Sequence, residues 1–264
     1  MYWTDYKEKN KEKMILLCGF GTSDAKELEG TYGKLLETAR NAFPGQSVRL
    51  ALTSSKVIER LYSKHGIMIP DVRTAMEEAA EGGIIQIRIL PVQVAGGSEY
   101  EKLREISGSF GEKGIKVILD SPLLAGPGAE ALADLLAEKD IPEGEAVLYV
   151  GHGSHGRDPG VPEVYQRLQE LIRKKGKSNI FIGELQTGPD RLLKELSFSS
   201  ARMIRLRPLM MVSGHHWNKD VAGEKTGSWR NVLLEAGYEV ICEKEGLLRK
   251  DEIIDLLLGQ KGLS

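Results

Sequence analysis

His152, in the stretch GHGS, and His216, in SGHH, are the side chains of this sequence best suited to chemistry, in a chain with only five histidines. Each follows an apolar run of strand character. Imidazole binds divalent first-row metals such as cobalt, nickel, iron and zinc, and without a metal it accepts a proton near neutral pH. A carboxylate stands in FIGELQTGPD, where Glu184 and Gln186, two apart on a predicted strand, should share a face. His152, Glu184 and His216 would then form a metal site with open positions, and the two imidazoles a proton-accepting pair. The plainer alternatives are that His152 bonds a neighbouring carbonyl and that His216 caps the helix beginning near WNKD. His215 and His155 read as supporting or exposed, and His65, in YSKHGI, as a loop residue.

These side chains need a frame. From Met14 the chain alternates short apolar runs (MILLCGF, SVRLALT, IIQIRILPVQV, IKVILD) with stretches that are apolar at helical intervals (AKELEGTYGKLLETARNAF, DVRTAMEEAAEG, EYEKLREISGSFGEKG). After SPLLAGPG the alternation restarts through AEALADLLAEKD, AVLYVGHGS, NIFIGEL, ARMIRLRPLMMV and YEVICEKEG. Such an order predicts an α/β fold of parallel sheets with helices on both faces.

The restart reads as an internal duplication. LLCGFGTSD matches LYVGHGSHG, and IRILPVQVAGGSE matches IRLRPLMMVSGHH, with I-R-x-x-P shared. Laid together, they put Phe20 opposite His152, Gln93 opposite Met210, and Ser98 and Glu99 opposite His215 and His216. The expected organisation is a solvated lead-in over residues 1–13, an N-terminal half over 14–128 and a C-terminal half over 129–264 carrying the histidines. Ligands of open parallel sheets gather at the carboxyl ends of the strands. The second half would thus supply an imidazole-rich wall, while Phe20, Gln93 and Glu99 would supply one suited to packing and hydrogen bonding.

Composition narrows the classes. A net charge of −2 at pH 7 leaves no concentrated basic footprint for nucleic acid. No apolar run approaches the roughly 20 residues that cross a bilayer, so no membrane is expected. The charged opening MYWTDYKEKNKEKM lacks the apolar segment of a secretory signal, and a cytoplasmic location is expected. Cys18 and Cys242 have no metal-finger spacing and read as reduced thiols. The phosphate-loop, dinucleotide and G-x-S-x-G signatures are absent, so neither ATP nor another nucleotide is expected. GFGTSD could hold an anion by its amides, a weak signal alone.

Taken with ALTSSKVIERL, GIMIPDVRTAMEEAAEGG, LPVQVAGGSEYEKL, VGHGS, PLMMVSGHHWNKDVAGE and SWRNVLLEAGYEV, the chain from about Met14 onward resembles the anaerobic sirohydrochlorin cobaltochelatases, relatives of the ferrochelatases. The resemblance implies a chelatase-like fold of two similar halves and ATP-independent insertion of Co²⁺ into sirohydrochlorin on the oxygen-independent route to vitamin B12. His152 and His216 match the family's metal-site histidines. The chain departs from the pattern at Gln186, where the family's carboxylate ligand falls, at His215, where it usually has an acid, and at Gln93, where it has a histidine. Glu184 is the nearest replacement carboxylate. Leu124, Met210 and Met211 are expected to pack on the ring, and Arg157 and Lys219 to meet its carboxylates. Insertion of Ni²⁺ or Fe²⁺ into a related tetrapyrrole, and a carrier that binds ring or metal without turnover, are the alternatives. Assembly into a homo-oligomer is left open.

Overall fold

The computed structural model describes Trp3 and residues 12–112, 114–138, 140–153 and 161–259. Most of the expected lead-in, together with His155 and Arg157, lies outside the described residues. The chain divides into two units, one running to Pro122 and rejoined by the closing stretch from Leu248, the other spanning Leu123–Leu247.

The first unit is built on β1 (Lys13–Gly19), α1 (Ala25–Leu28), a π-wound segment (Glu29–Gly33), α2 (Lys34–Ala42), β2 (Ser47–Leu52), α3 (Ser55–His65), α4 (Val72–Glu81), β3 (Gln86–Val92), α5 (Ser98–Gly111) and β4 (Lys116–Leu119). Its strands form one parallel sheet in the order β2-β1-β3-β4. Met14, Leu16 and Cys18 project to one face, under Val72, Met76, Leu103 and Phe110 of α4 and α5. Ile15 and Leu17, also buried, alternate to the other face. Burial on both sides explains why β1 reads as an uninterrupted apolar run. Helix starts are chemically marked: Asp24 accepts from the amides of Lys26 and Glu27, Ser54 from Val57 and Asp71 from Thr74. His65 is the last residue of α3, ahead of Gly66 in the left-handed region (φ 64°), and so belongs to a helix and not to the loop expected for it.

The second unit repeats the plan with α6 (Gly128–Ala137), β5 (Glu145–Gly151), α7 (Val161–Lys174), β6 (Ile180–Glu184), α8 (Asp190–Leu196), β7 (Met203–Leu209), α9 (Trp229–Glu235) and β8 (Glu239–Cys242). The sheet order is β6-β5-β7-β8, again parallel. Register carries the duplication to single residues. Gly19 lies opposite Val92 and Leu52, and Gly151 opposite Leu209 and Glu184. Phe20 therefore corresponds to His152, and Gln93 to Met210.

The shared I-R-x-x-P segment has a physical role. In each unit its arginine is paired with the acid that follows the fourth strand: Arg88 with Asp120 at 2.7 Å and Arg205 with Glu243 at 3.6 Å, Arg205 also meeting Glu145 at 2.6 Å. A tyrosine under the first strand's end recurs too. Tyr32 packs against Gly19 and accepts from the Gly21 amide, while Tyr165 packs against Gly151 and accepts from the Gly153 amide. Burial pushes the Tyr32 hydroxyl up to about 12 and the Tyr165 hydroxyl higher still.

The units do not meet the expected 128/129 boundary. Leu123 and Leu124 are buried in the second unit, and the last helix, α10 (Asp251–Leu257), belongs to the first. Arg249 reaches Glu27 at 2.5 Å and Lys34 reaches Asp251 at 2.6 Å, while Leu248, Ile253 and Ile254 are buried. A repeat pattern locates the copies, but packing decides where a trailing segment settles. Among the described residues no helix is long and apolar enough to cross a membrane.

Candidate metal and proton-transfer site

His152 directly follows β5, on the loop that leaves Gly151. A Cβ on Gly151 would collide with the Tyr165 ring, so glycine is required there. Gly153 is in the left-handed region (φ 72°), and any side chain on it would crowd Glu184. These two glycines and the tyrosine between them hold the loop that presents His152.

His216 comes from the other neighbour of β5. After β7 the chain passes Ser213 and Gly214 and enters a helix at His215, wound as a π-helix over Trp217–Val221. Trp217 and Val221 are fully buried and anchor this turn. His216 and Asp220, four apart, fall together on its outer side.

The two imidazoles meet edge to face, with ring centroids 5.2 Å apart and planes at 83°. His215 stacks no closer than 6.0 Å to His216. Nδ1 of His216 lies 2.9 Å from Oδ2 of Asp220, whose Oδ1 accepts from Lys225 Nζ at 2.7 Å. The Lys225 ammonium, and after it the His216 bond, hold the Asp220 carboxyl below the usual carboxylate range. An ionised carboxylate only accepts, so it favours a hydrogen on His216 Nδ1. His152 Nδ1 faces the Gly153 carbonyl at 3.3 Å, which likewise only accepts and favours the same tautomer.

Both rings open on a depression of about 420 Å³, lined also by Gln186, Asp220, Lys225 and Trp229. The expected trio of His152, Glu184 and His216 is not assembled there. Gln186 lines the depression, and Glu184 packs behind Gly153 with its Oε2 buried and unpartnered among the described residues. Burial, opposed by Arg191, raises the Glu184 carboxyl above its ordinary value. Glu184 and Gln186 both pack beside Gly153, as the two-apart spacing predicts, although β6 ends at Glu184 and the chain then turns, Thr187 N–H donating to the Glu184 carbonyl at 3.1 Å. Among the described residues no three His, Cys, Asp or Glu side chains converge as a metal-holding group.

Other expected ring contacts sort by burial. Leu124 is fully buried and Met211 nearly so, neither lining the depression, and Met210 is half-buried. Lys219 is exposed and does not line the depression, whereas Lys225 does. In the first unit Phe20 is exposed, and both polar atoms of the Gln93 amide are buried without a partner among the described residues. Glu99 Oε1 accepts from Lys102 Nζ at 2.9 Å, and its Oε2 is buried without a partner among the described residues. Asp220 and Lys225 were not anticipated. The four-residue spacing from His216 was a usable signal for Asp220; nothing periodic marks Lys225.

The family model described as "Cobalt chelatase (CbiK)" matches residues 13–260. The chain belongs to the cobalt chelatase family. It is 29 % identical over 257 residues to the sirohydrochlorin cobaltochelatase CbiKC of Nitratidesulfovibrio vulgaris, with 94 % of this chain and 88 % of that relative covered. To the sirohydrochlorin cobaltochelatase of Salmonella typhimurium it is 23 % identical, with 89 % and 90 % covered. Among solved structures, SirB from Bacillus subtilis with Fe³⁺ matches at a TM-score of 0.64 and 16 % identity, covering 94 % of this chain and 93 % of that one. That likeness establishes the fold of this cobalt chelatase family member as one shared beyond recognisable sequence similarity.

Proposed function

We infer that this chain inserts Co²⁺ into sirohydrochlorin, without ATP. The observation that carries the reading is the meeting of His152 and His216, 64 positions apart in sequence, at 5.2 Å between ring centroids in a member of the cobalt chelatase family.

The reaction exchanges one dication for two pyrrole N–H protons: Co²⁺ enters and bonds the four ring nitrogens, two N–H bonds break, and two protons leave. The ring nitrogens need acceptors within hydrogen-bond reach, and the imidazoles of His152 and His216, in their neutral form, are groups of the right kind. Their lone pairs also bind a first-row dication. One lone pair serves one task at a time, so the imidazoles either divide the work or alternate, releasing the metal before taking a proton. Glu184, whose carboxyl is made harder to ionise by burial, gains charge readily once a dication is near, and so lowers the cost of bringing Co²⁺ to the histidines. Gln186 adds a neutral oxygen donor in the lining.

Met210, half-buried just after β7, is a proposed contact for the macrocycle within the second unit. Cobalt is the proposed metal, ahead of Ni²⁺ and Fe²⁺. Competition at limiting metal tests that order, with Co-sirohydrochlorin as the expected main product.

The test is the absorption change on mixing protein, sirohydrochlorin and Co²⁺. Wild type should exceed the uncatalysed rate, and His152→Ala and His216→Ala should each lose on the order of 10²-fold or more. A folded wild type that gives no acceleration overturns the reading. Alanine variants that metallate at the wild-type rate while still binding the ring turn it into a carrier.

A further inference from the structure

We propose that Asp220, pinned by Lys225, is a positioning residue for His216: it accepts the Nδ1 hydrogen and so fixes which imidazole nitrogen the site presents. The proposal deepens the chelatase reading and rests on it for the role of His216.

The geometry is specific. Asp220 uses one oxygen for each partner, Oδ1 for Lys225 at 2.7 Å and Oδ2 for His216 at 2.9 Å. With Oδ1 occupied by an ammonium, the carboxylate cannot swing freely about its Cβ–Cγ bond, and Oδ2 stays aimed at the ring. Both distances are those of charge-assisted or strong hydrogen bonds. The backbone supports the same aim, since Trp217 and Val221 are fully buried on the inner side of the turn that carries His216 and Asp220. His216 itself is half exposed on the depression. An exposed imidazole with no such partner would rotate and exchange tautomers. A proton acceptor or metal ligand that spends part of its time with Nε2 protonated is idle for that part, which is why an outer partner on the far nitrogen matters.

The chain also places Asp220 on the depression wall, so a competing role is direct binding of the metal. Asp220→Asn separates the two. Lys225 needs an oxygen acceptor and will take the asparagine carbonyl, which turns the amide NH₂ toward His216 Nδ1. That nitrogen must then accept, and the hydrogen moves to Nε2. Asparagine keeps the size and an oxygen donor, so a ligand role would suffer only from lost charge, whereas a positioning role is inverted.

The experiment is long-range ¹H–¹⁵N spectroscopy of histidine-labelled wild type, Asp220→Asn and Asp220→Ala, with metallation kinetics on the same samples. We expect His216 to carry its hydrogen on Nδ1 in wild type and on Nε2 in Asp220→Asn. Asp220→Ala, with no acceptor on Nδ1, should lose the fixed Nδ1–H form and guards against a variant that does not fold. For folded Asp220→Asn, kcat should fall about 10- to 100-fold with KM for sirohydrochlorin unchanged. Wild-type His216 found with hydrogen on Nε2, or the same tautomer in all three proteins, overturns the proposal. So does a switched tautomer with unchanged kcat. The spectra need no substrate: if wild type fails to metallate at all, the chelatase reading falls while the hold of Asp220 on His216 is still judged by its tautomer.

Discussion

An imidazole offers one lone pair, and at this site the neighbours of His152 and His216 determine which nitrogen bears it. Gly153 O and Asp220 Oδ2 both face Nδ1 atoms, and each, as an acceptor, favours a hydrogen on that nitrogen. Glu184 is a different case, a carboxyl whose Oε2 is buried without a partner among the described residues and whose ionisation burial opposes. Its folded-state value lies above its unfolded one, so its contribution to stability is full below the unfolded value and is lost as pH rises through the folded one. Thermal melts of wild type and Glu184→Gln should thus agree at acid pH and separate toward neutral pH, with the variant the more stable. A gap of the opposite sign would mean that the carboxylate is paired in the fold. Sequence alone made the histidines legible because they are few and follow apolar runs. It brought Glu184 and Gln186 to the same side, where both pack beside Gly153, but gave no sign that only Gln186 would line the depression.

At the scale of elements, the loop after β5 is held by a glycine and tyrosine that occur again after β1. Gly151→Ala puts a methyl into the Tyr165 ring, and overpacking of this kind costs about 1–3 kcal/mol. Denaturant unfolding should show that loss for Gly151→Ala, and Tyr165→Leu in the same chain should recover part of it, a coupling expected for touching residues. Additive losses would mean that the two do not press on each other. Gly183 stands in the same relation to Trp229, a lining residue of the depression, so the floor of the site is set by glycines as much as by the aromatic rings. The inner strands were legible because buried parallel strands are continuous apolar runs between glycine and proline breaks, whereas the edge strands β4 and β8 stay partly exposed and still read as short apolar runs. The π-wound turn of Trp217–Val221 was not legible, since burying residues four apart suits an ordinary α-helix equally and no local residue choice demands the wider winding. Helix α3 and the place of His65 on it were missed for a related reason: only Val57 and Leu61 of that helix are buried, a thin apolar stripe.

At the scale of the whole molecule, duplication gives two sheets of one order, and the copies have been put to different uses. Gly19 and Gly151 occupy the same register, yet Phe20 follows one and His152 the other. The repeat was readable from I-R-x-x-P and G-x-G, but the return of the closing segment to the first unit was not, because ion pairs such as Arg249 with Glu27 join residues more than 200 positions apart. Ile253→Ala or Ile254→Ala should cost about 2–5 kcal/mol. Hydrogen exchange should rise through the first unit's strands while β5–β8 stay protected; equal loosening of both units would contradict the division. The central claim, that His152 and His216 act as one metal site, is tested most directly by anomalous scattering at the cobalt edge from crystals soaked in Co²⁺. A single strong peak at bonding distance from Nε2 of both rings is the predicted result, and a peak bound elsewhere, with none between those two nitrogens at saturating Co²⁺, would contradict it.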